Sequence, residues 1–362
     1  MSLPSASANK PPPTRRFGKM ARVACALLLA LGGLLALAWG IQHISSRTGS
    51  TPAMTRQGFY TNPVVQSDFP DPSILQVGNQ FYAYATNAFG KHIQVARSDD
   101  LVQWEPLPDA MPALPAWVDV NSPNVWAPEV IQIGDRFVMY YTARDQQSQR
   151  QCVGVATSTR PDRGFRDTNA RPFICQIEQG GTIDASPFRD GEKLYLYFKN
   201  DGNCCGLPTH LYAQELAPDG LSLAGSPVPL LVNDQHWEGN VIEAPNMFKH
   251  NGNYYLFYSA NDYGGASYAV GYARCQTPLG PCEKAPENPI LSSRLNLSPP
   301  VIGPGGQHVF QVGDQTWIVY HAWNTTEDGM QGDSRYMWLD RVTWQHDRPV
   351  IQGPTTEPQP TS

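Results

Sequence analysis

Charge is scarce in this sequence, and what there is does not cluster. Only 16% of the 362 residues are Asp, Glu, Lys or Arg, and the net charge is −6. No run of lysine or arginine follows the N-terminal segment, so nucleic-acid binding has no electrostatic footprint. Long helical periodicity is missing after residue 45, which excludes a helical bundle. No two cysteines have the two-residue spacing that zinc modules use, and no Asp-rich calcium loop is present. A neutral ligand such as a sugar fits this balance.

What the sequence has in quantity is proline, glycine and aromatic side chains: 33 Pro, 31 Gly and 10% Phe, Trp and Tyr. That mixture suits a loop-rich all-β protein. The first 22 residues are Pro/Ser-rich and then basic, with Arg15, Arg16, Lys19 and Arg22. Val23 to Ile41 follow without a charge, a stretch that reads as a signal peptide or a transmembrane anchor. Either way the basic flank places the rest of the chain outside the cytoplasm: periplasmic, extracellular or membrane-anchored. Residues 42–57 read as a linker, 58–352 as one catalytic domain and 353–362 as a Pro/Thr tail. Outside the apolar segment six cysteines remain, an even number that points to disulfides in an oxidising compartment. Cys275 and Cys282 bracket a short Pro/Gly loop, and Cys152 and Cys175 are the next nearest pair. Cys204 and Cys205 are then a vicinal bridge or two thiols.

The chain repeats. A Gly beside Asn, Asp or Glu, followed by aromatic and β-branched residues, occurs at Gly78, Gly134, Gly191, Gly252 and Gly313, in steps of 56, 57, 61 and 61 residues. Each copy reads as an apolar strand, a tight turn in which glycine supplies a positive φ, and a second apolar strand. Five such units of about 60 residues predict an all-β, five-bladed β-propeller preceded by the signal or anchor segment.

In a propeller the innermost strands converge on a central channel, so chemistry is expected just before the repeat glycines. Asp71, Asp184 and Glu243 lie there, in blades 1, 3 and 4, in otherwise uncharged settings. An acid so placed is costly unless paired or used. Glycosidic cleavage needs one protonated carboxyl to donate to the leaving oxygen and one carboxylate to activate water. A third acid nearby raises the pKa of the donor.

These segments carry a family resemblance. Asp71-Pro72-Ser73, Trp126-Ala127-Pro128-Glu129, Ile183-Asp184-Ala185-Ser186-Pro187-Phe188, Glu243-Ala244-Pro245 and Gly305-Gly306-Gln307-His308, in this order, resemble glycoside hydrolase family 43 over roughly residues 60–350. The resemblance implies an inverting glycosidase in which Asp71 is the general base, Asp184 orients and tunes the acid, and Glu243 is the general acid. It further implies sugar contacts at Trp126, Arg335 and Phe69. The chemistry needs no cofactor, but the resemblance adds a structural calcium or sodium ion in the central channel, with His308 as its ligand. Asp68, three residues before Asp71, is the competing acid, set aside because the Asp-Pro-Ser pattern belongs to Asp71. The segments Asp201–Gln214 and Trp237-Glu238-Gly239 resemble the exo-acting arabinofuranosidase branch, whose substrates are α-1,5-arabino-oligosaccharides. β-Xylosidase, endo-arabinanase and a non-catalytic carbohydrate-binding propeller are the alternatives. A monomer acting on an arabinose-containing saccharide is the expected form.

Overall fold

The computed structural model describes residues 58–361 except Glu327. The expectations for residues 1–22, 23–41 and 42–57 lie outside the described residues. Among those described, no helix is long and apolar enough to cross a membrane.

Five antiparallel sheets follow one another along the chain. Blade 1 comprises Ser73–Val77, Gln80–Ala85, Gln94–Ser98 and Glu105–Pro106, and blade 2 comprises Trp126–Ile133, Arg136–Arg144 and Gln151–Ser158. Blade 3 runs from Thr182–Asp190 through Lys193–Asn200 and His210–Leu216 to Leu223–Val232. Blade 4 contains Ile242–His250, Asn253–Ala260, Ala269–Cys275 and Cys282–Lys284. Blade 5 contains Ile302–Val312, Gln315–Thr325, Gln331–Gln345 and Arg348–Ile351. The innermost strand of each blade packs on that of the next, and Ile302–Val312 of blade 5 returns to Ser73–Val77 of blade 1. The sheets therefore form a closed five-bladed β-propeller.

The repeat glycines do what the pattern requires. Gly78, Gly134, Gly191, Gly252 and Gly313 all have φ between 60° and 80° in the turns that join first and second strands. In blade 4 the two turn residues are Asn251 and Gly252, both left-handed, which is the turn whose twist matches a hairpin.

The hydrophobic core is divided into five wedges, each between neighbouring blades. Tyr84 and Met139 belong to the wedge between blades 1 and 2, Tyr140 and Leu196 to the next, Tyr197 and Leu256 to the third, and Phe257 and Tyr320 to the fourth. Phe81 and Trp317 fill the wedge between blades 1 and 5 and so close the ring. A strand with neighbours on both faces must be apolar throughout, and Phe137 to Tyr141 are five successive buried residues. The ring is also latched by backbone: Phe59–Tyr60 pairs with Gln359–Pro360, and the Val64 N–H donates to the Met337 carbonyl. The segment read from its composition as a tail thus supplies a strand.

All three disulfides are present: Cys152–Cys175, Cys275–Cys282 and the vicinal Cys204–Cys205.

Candidate active site

Every innermost strand begins with the same kink. At equivalent positions each blade has a residue with a left-handed backbone: Asp71 (φ 53°), Ala127 (42°), Asp184 (58°), Ala244 (51°) and Gly306 (57°). In blades 2 to 5 the strand register slips at this point. A bulge turns the strand start and re-aims its side chains. A non-glycine residue in this conformation costs about 1–3 kcal/mol, a strain that persists only where the surroundings impose it. All five kink residues line one pocket at the channel mouth, a cavity of about 320 Å³.

This ring refines the equivalence read from the sequence. Asp71 and Asp184 are themselves kink residues, whereas Glu243 stands one position earlier, level with Pro70, Trp126, Ile183 and Gly305. The three acids nevertheless meet in the same pocket. Two residues beyond each kink comes a second ring, formed by Ser73, Glu129, Ser186, Asn246 and His308.

Asp71 is built to stay ionised. Burial pushes its carboxyl up, but the Arg335 guanidinium, 3.5 Å from Oδ1, and the Thr86 hydroxyl, which donates to Oδ2 at 2.6 Å, outweigh that effect. The carboxyl is held well below the usual carboxylate range. The Asp71 backbone N–H donates to His321 Nδ1 at 3.1 Å. That nitrogen cannot also donate to Asp71 Oδ1, 3.3 Å away, so the contact is not a second hydrogen bond. Burial lowers the pKa of His321 and keeps the ring neutral.

Asp184 and Glu243 form a different environment on blades 3 and 4, the two blades that do not adjoin blade 1. Burial raises the Asp184 carboxyl, and the Glu243 charge raises it further, with Lys199 opposing. A carboxyl so raised holds its proton to higher pH than an exposed one. Glu243 accepts the Tyr268 hydroxyl on Oε1 at 2.8 Å and the Lys199 ammonium on Oε2 at 3.1 Å. The Asp184 side chain in turn accepts the Ala244 N–H at 2.9 Å.

Of the other residues singled out in the sequence, Trp126 and Arg335 line the pocket. Arg335 lies over the rings of Tyr263 and Trp323, 5.0 and 5.7 Å from their centroids. Phe69 is not brought there. It is 4% exposed and packs in the wedge between blades 1 and 5, its N–H bonded to the Arg335 carbonyl. Asp68 accepts the Arg335 N–H at 2.9 Å, a brace for the backbone.

His308 lies in the second ring. Its Nδ1 accepts the Ile74 N–H at 3.3 Å, which leaves Nε2 protonated and 4.0 Å from Glu129 Oε2. Burial lowers the His308 pKa to about 4. Burial also pushes Glu129 up to about 8, with the Ser186 hydroxyl opposing and the Asp184 charge adding. A neutral imidazole whose one lone pair is taken offers nothing to a cation. The buried Glu129 carboxyl, without a cationic partner within bonding distance, does fit one. Among the described residues no three His, Cys, Asp or Glu side chains converge as a metal-binding group.

Sequence reasoning missed Thr86, Lys199, Tyr268 and His321. Thr86, Lys199 and Tyr268 lie near or beyond the far ends of second strands, and His321 lies within one, where no motif marks them. Glu129 was present in a quoted motif and could have been found as the acid of the one blade left without a candidate besides blade 5.

The model for "Glycosyl hydrolases family 43" matches residues 60–349. An extracellular endo-α-(1→5)-L-arabinanase of Thermotoga petrophila is 30% identical over 245 residues, covering 58% of this chain and 50% of that protein. A β-xylosidase of Bacillus subtilis is 27% identical over 326 residues, covering 81% of this chain and 57% of that protein. The chain thus spans about half the length of each of these two relatives. A crystal structure of a thermostable family-43 glycoside hydrolase superposes with a TM-score of 0.73 at 33% identity, covering 83% of this chain and 98% of the other.

Proposed function

Because this chain belongs to family 43 of the glycosyl hydrolases, we propose that it is an inverting, exo-acting α-L-arabinofuranosidase that trims α-1,5-arabino-oligosaccharides or arabinan side chains. The observation that carries the glycosidase reading is the contrast between its acids. Asp71 is held ionised by Arg335 and Thr86, while on the non-adjacent blades burial and the neighbouring Glu243 raise the Asp184 carboxyl. Inverting hydrolysis requires one carboxylate and one carboxylic acid of this kind, separated by a water.

In this reading Asp71 draws a proton from water as the water attacks the anomeric carbon. The C–O bond to the leaving group breaks as Glu243 protonates its oxygen. Asp184, bonded to the Ala244 N–H, holds the Glu243 segment in place and returns charge to the pair once the proton has gone. Trp126 and Arg335 contact the sugar held between the acids. Exo action is supported by Trp126, Tyr263 and, from the Gly202–Cys205 turn, Asn203 and Cys204, which line the same pocket as the acids and give a single terminal sugar walls to rest against.

Endo-cleavage of arabinan is the second reading, favoured by the name of the Thermotoga relative. β-Xylosidase activity is the third, favoured by that of the Bacillus relative. We further propose an exported monomer, its catalytic domain spanning residues 58–352. A calcium or sodium ion in the channel would rest against Glu129 and not His308, and would supply structure only. Release of nitrophenol from α-L-arabinofuranoside and from β-D-xylopyranoside, with the products from linear arabinan, tests the assignment. Rapid arabinoside cleavage with monomeric arabinose as the sole early product is expected. Preferred xyloside cleavage, or a ladder of oligosaccharides, would replace it with one of the alternatives.

A further inference from the structure

Lys199 is the penultimate residue of the second strand of blade 3, directly after the apolar run Leu194 to Phe198, and its side chain is 0% exposed. The acids whose charge it opposes, Asp184 and Asp201, line the pocket and do not belong to the wedge. A buried ion pair is often no more stabilising than apolar side chains of the same size, so the fold does not explain this lysine. Its partners do. Nζ donates to Glu243 Oε2 at 3.1 Å and to Asn203 Oδ1 at 2.8 Å. Asn203 belongs to the short 3-10 turn Gly202–Cys205, which the vicinal disulfide Cys204–Cys205 closes at the pocket edge.

We infer that Lys199 is a positioning residue for the proton donor, fixing the Glu243 carboxyl through Oε2 while Tyr268 fixes Oε1, and that Asn203 of the disulfide-closed turn fixes Lys199. This rests on Glu243 being the acid. With both oxygens held, the carboxyl cannot rotate, and each oxygen keeps one lone-pair direction free for the transferred proton. The ammonium also faces the charge that develops on Glu243 as its proton leaves. A fixed cation at that position stabilises the transition state more than the ground state. The other ionisable groups that bear on Glu243 are Asp184 and Asp201 of blade 3 and its loop, Tyr268 of blade 4, and His321 of blade 5.

The test is the pH profile of kcat/KM for Lys199→Met, Lys199→Arg and Asn203→Ala on an arabino-oligosaccharide and on the nitrophenyl arabinofuranoside. Removing a cation beside two carboxyls makes them hold protons to higher pH. The basic limb of Lys199→Met should therefore move up by about one pH unit. Its loss on the oligosaccharide should exceed its loss on the activated substrate about tenfold or more, since a poor leaving group depends on the acid. Lys199→Arg keeps the charge and should leave the limb in place. Asn203 is exposed, so Asn203→Ala will fold. It should show the same changes, only smaller, and it decides the matter if Lys199→Met does not fold. Intact variants with an unmoved limb, or with equal losses on both substrates, overturn the inference alone. A wild-type protein that cleaves no glycoside overturns the reading of the site and this inference with it.

Discussion

The Asp184 carboxylate accepts the backbone N–H of Ala244 at 2.9 Å, so the acid of blade 3 is bonded to the residue that follows the acid of blade 4. This one bond crosses the boundary between two blades at the point where both strands are kinked. It makes the separation of Asp184 and Glu243 a property of the ring, not of either side chain. Asp71 has no such link to the pair. Its partners, Thr86, His321 and Arg335, come from blades 1 and 5. The pocket therefore holds one carboxyl lowered, at Asp71, and one raised, at Asp184, set by which blades adjoin.

The kink ring makes a sharp demand at Gly306. A Cβ there would lie 2.6 Å from His321 Cε1 and 2.7 Å from Asp71 Oδ1, at a φ of +57°. Gly306→Ala should thus displace Asp71, and displacements of this size at a reacting group cost about a hundredfold in rate. Left-handed strain should lower stability as well, by more than about 1 kcal/mol. Kinetics beside a thermal melt check this. Near-normal activity would show that Asp71 does not need its present position.

The two roles of the acids separate by substrate. With Glu243 as the proposed proton donor, Glu243→Gln should cost oligosaccharides at least about a hundredfold while nitrophenyl arabinofuranoside, whose leaving oxygen hardly needs a proton, loses far less. Asp71→Asn should cost both substrates alike, and azide, a nucleophile that needs no base, should restore part of the rate. Equal losses in the Glu243→Gln enzyme would mean that another group is the acid.

Stability should respond to pH through Glu129. Its carboxyl has a usual value of 4.5 and is pushed up to about 8 by burial. The folded chain therefore binds that proton more tightly than the unfolded chain does. This contribution declines as pH rises from about 4.5, through the folded value near 8. Glu129→Gln keeps a group that can accept the Ser186 hydroxyl and abolishes the ionisation. Its melting temperature should match the wild type near pH 5 and exceed it by about 5 °C at pH 8, as a few kcal/mol would produce in a domain of this size. Parallel curves across that range would show that Glu129 does not carry the buried charge.

Much of this was legible in the residues. The repeat glycines fixed the blade count because a two-residue hairpin turn needs a positive φ, a local demand that leaves a local mark. The acids were legible because they interrupt apolar strand starts. Four things were not. Phe69 stands only two residues before the kink residue Asp71, but its side chain is turned away from the pocket and falls into the wedge core. Glu243 sits one residue ahead of its kink, an offset that only strand pairing reveals. Lys199, Tyr268 and His321 approach the pocket from the far ends of second strands and from loops, positions set by how blades pack. The final strand Gln359–Pro360 was hidden by its Pro/Thr composition, since its pairing partner lies some 300 residues away.

The account stands on Asp71 activating water for direct displacement while Glu243 protonates the leaving oxygen. A proton NMR time course of α-1,5-arabino-oligosaccharide hydrolysis reads that geometry in one experiment. The first arabinose released should carry the β-anomeric signal, with the α signal growing only as the free sugar equilibrates. An α signal that appears first would mean a covalent sugar intermediate, and no arabinose at all would mean that these carboxyls do not cleave this linkage.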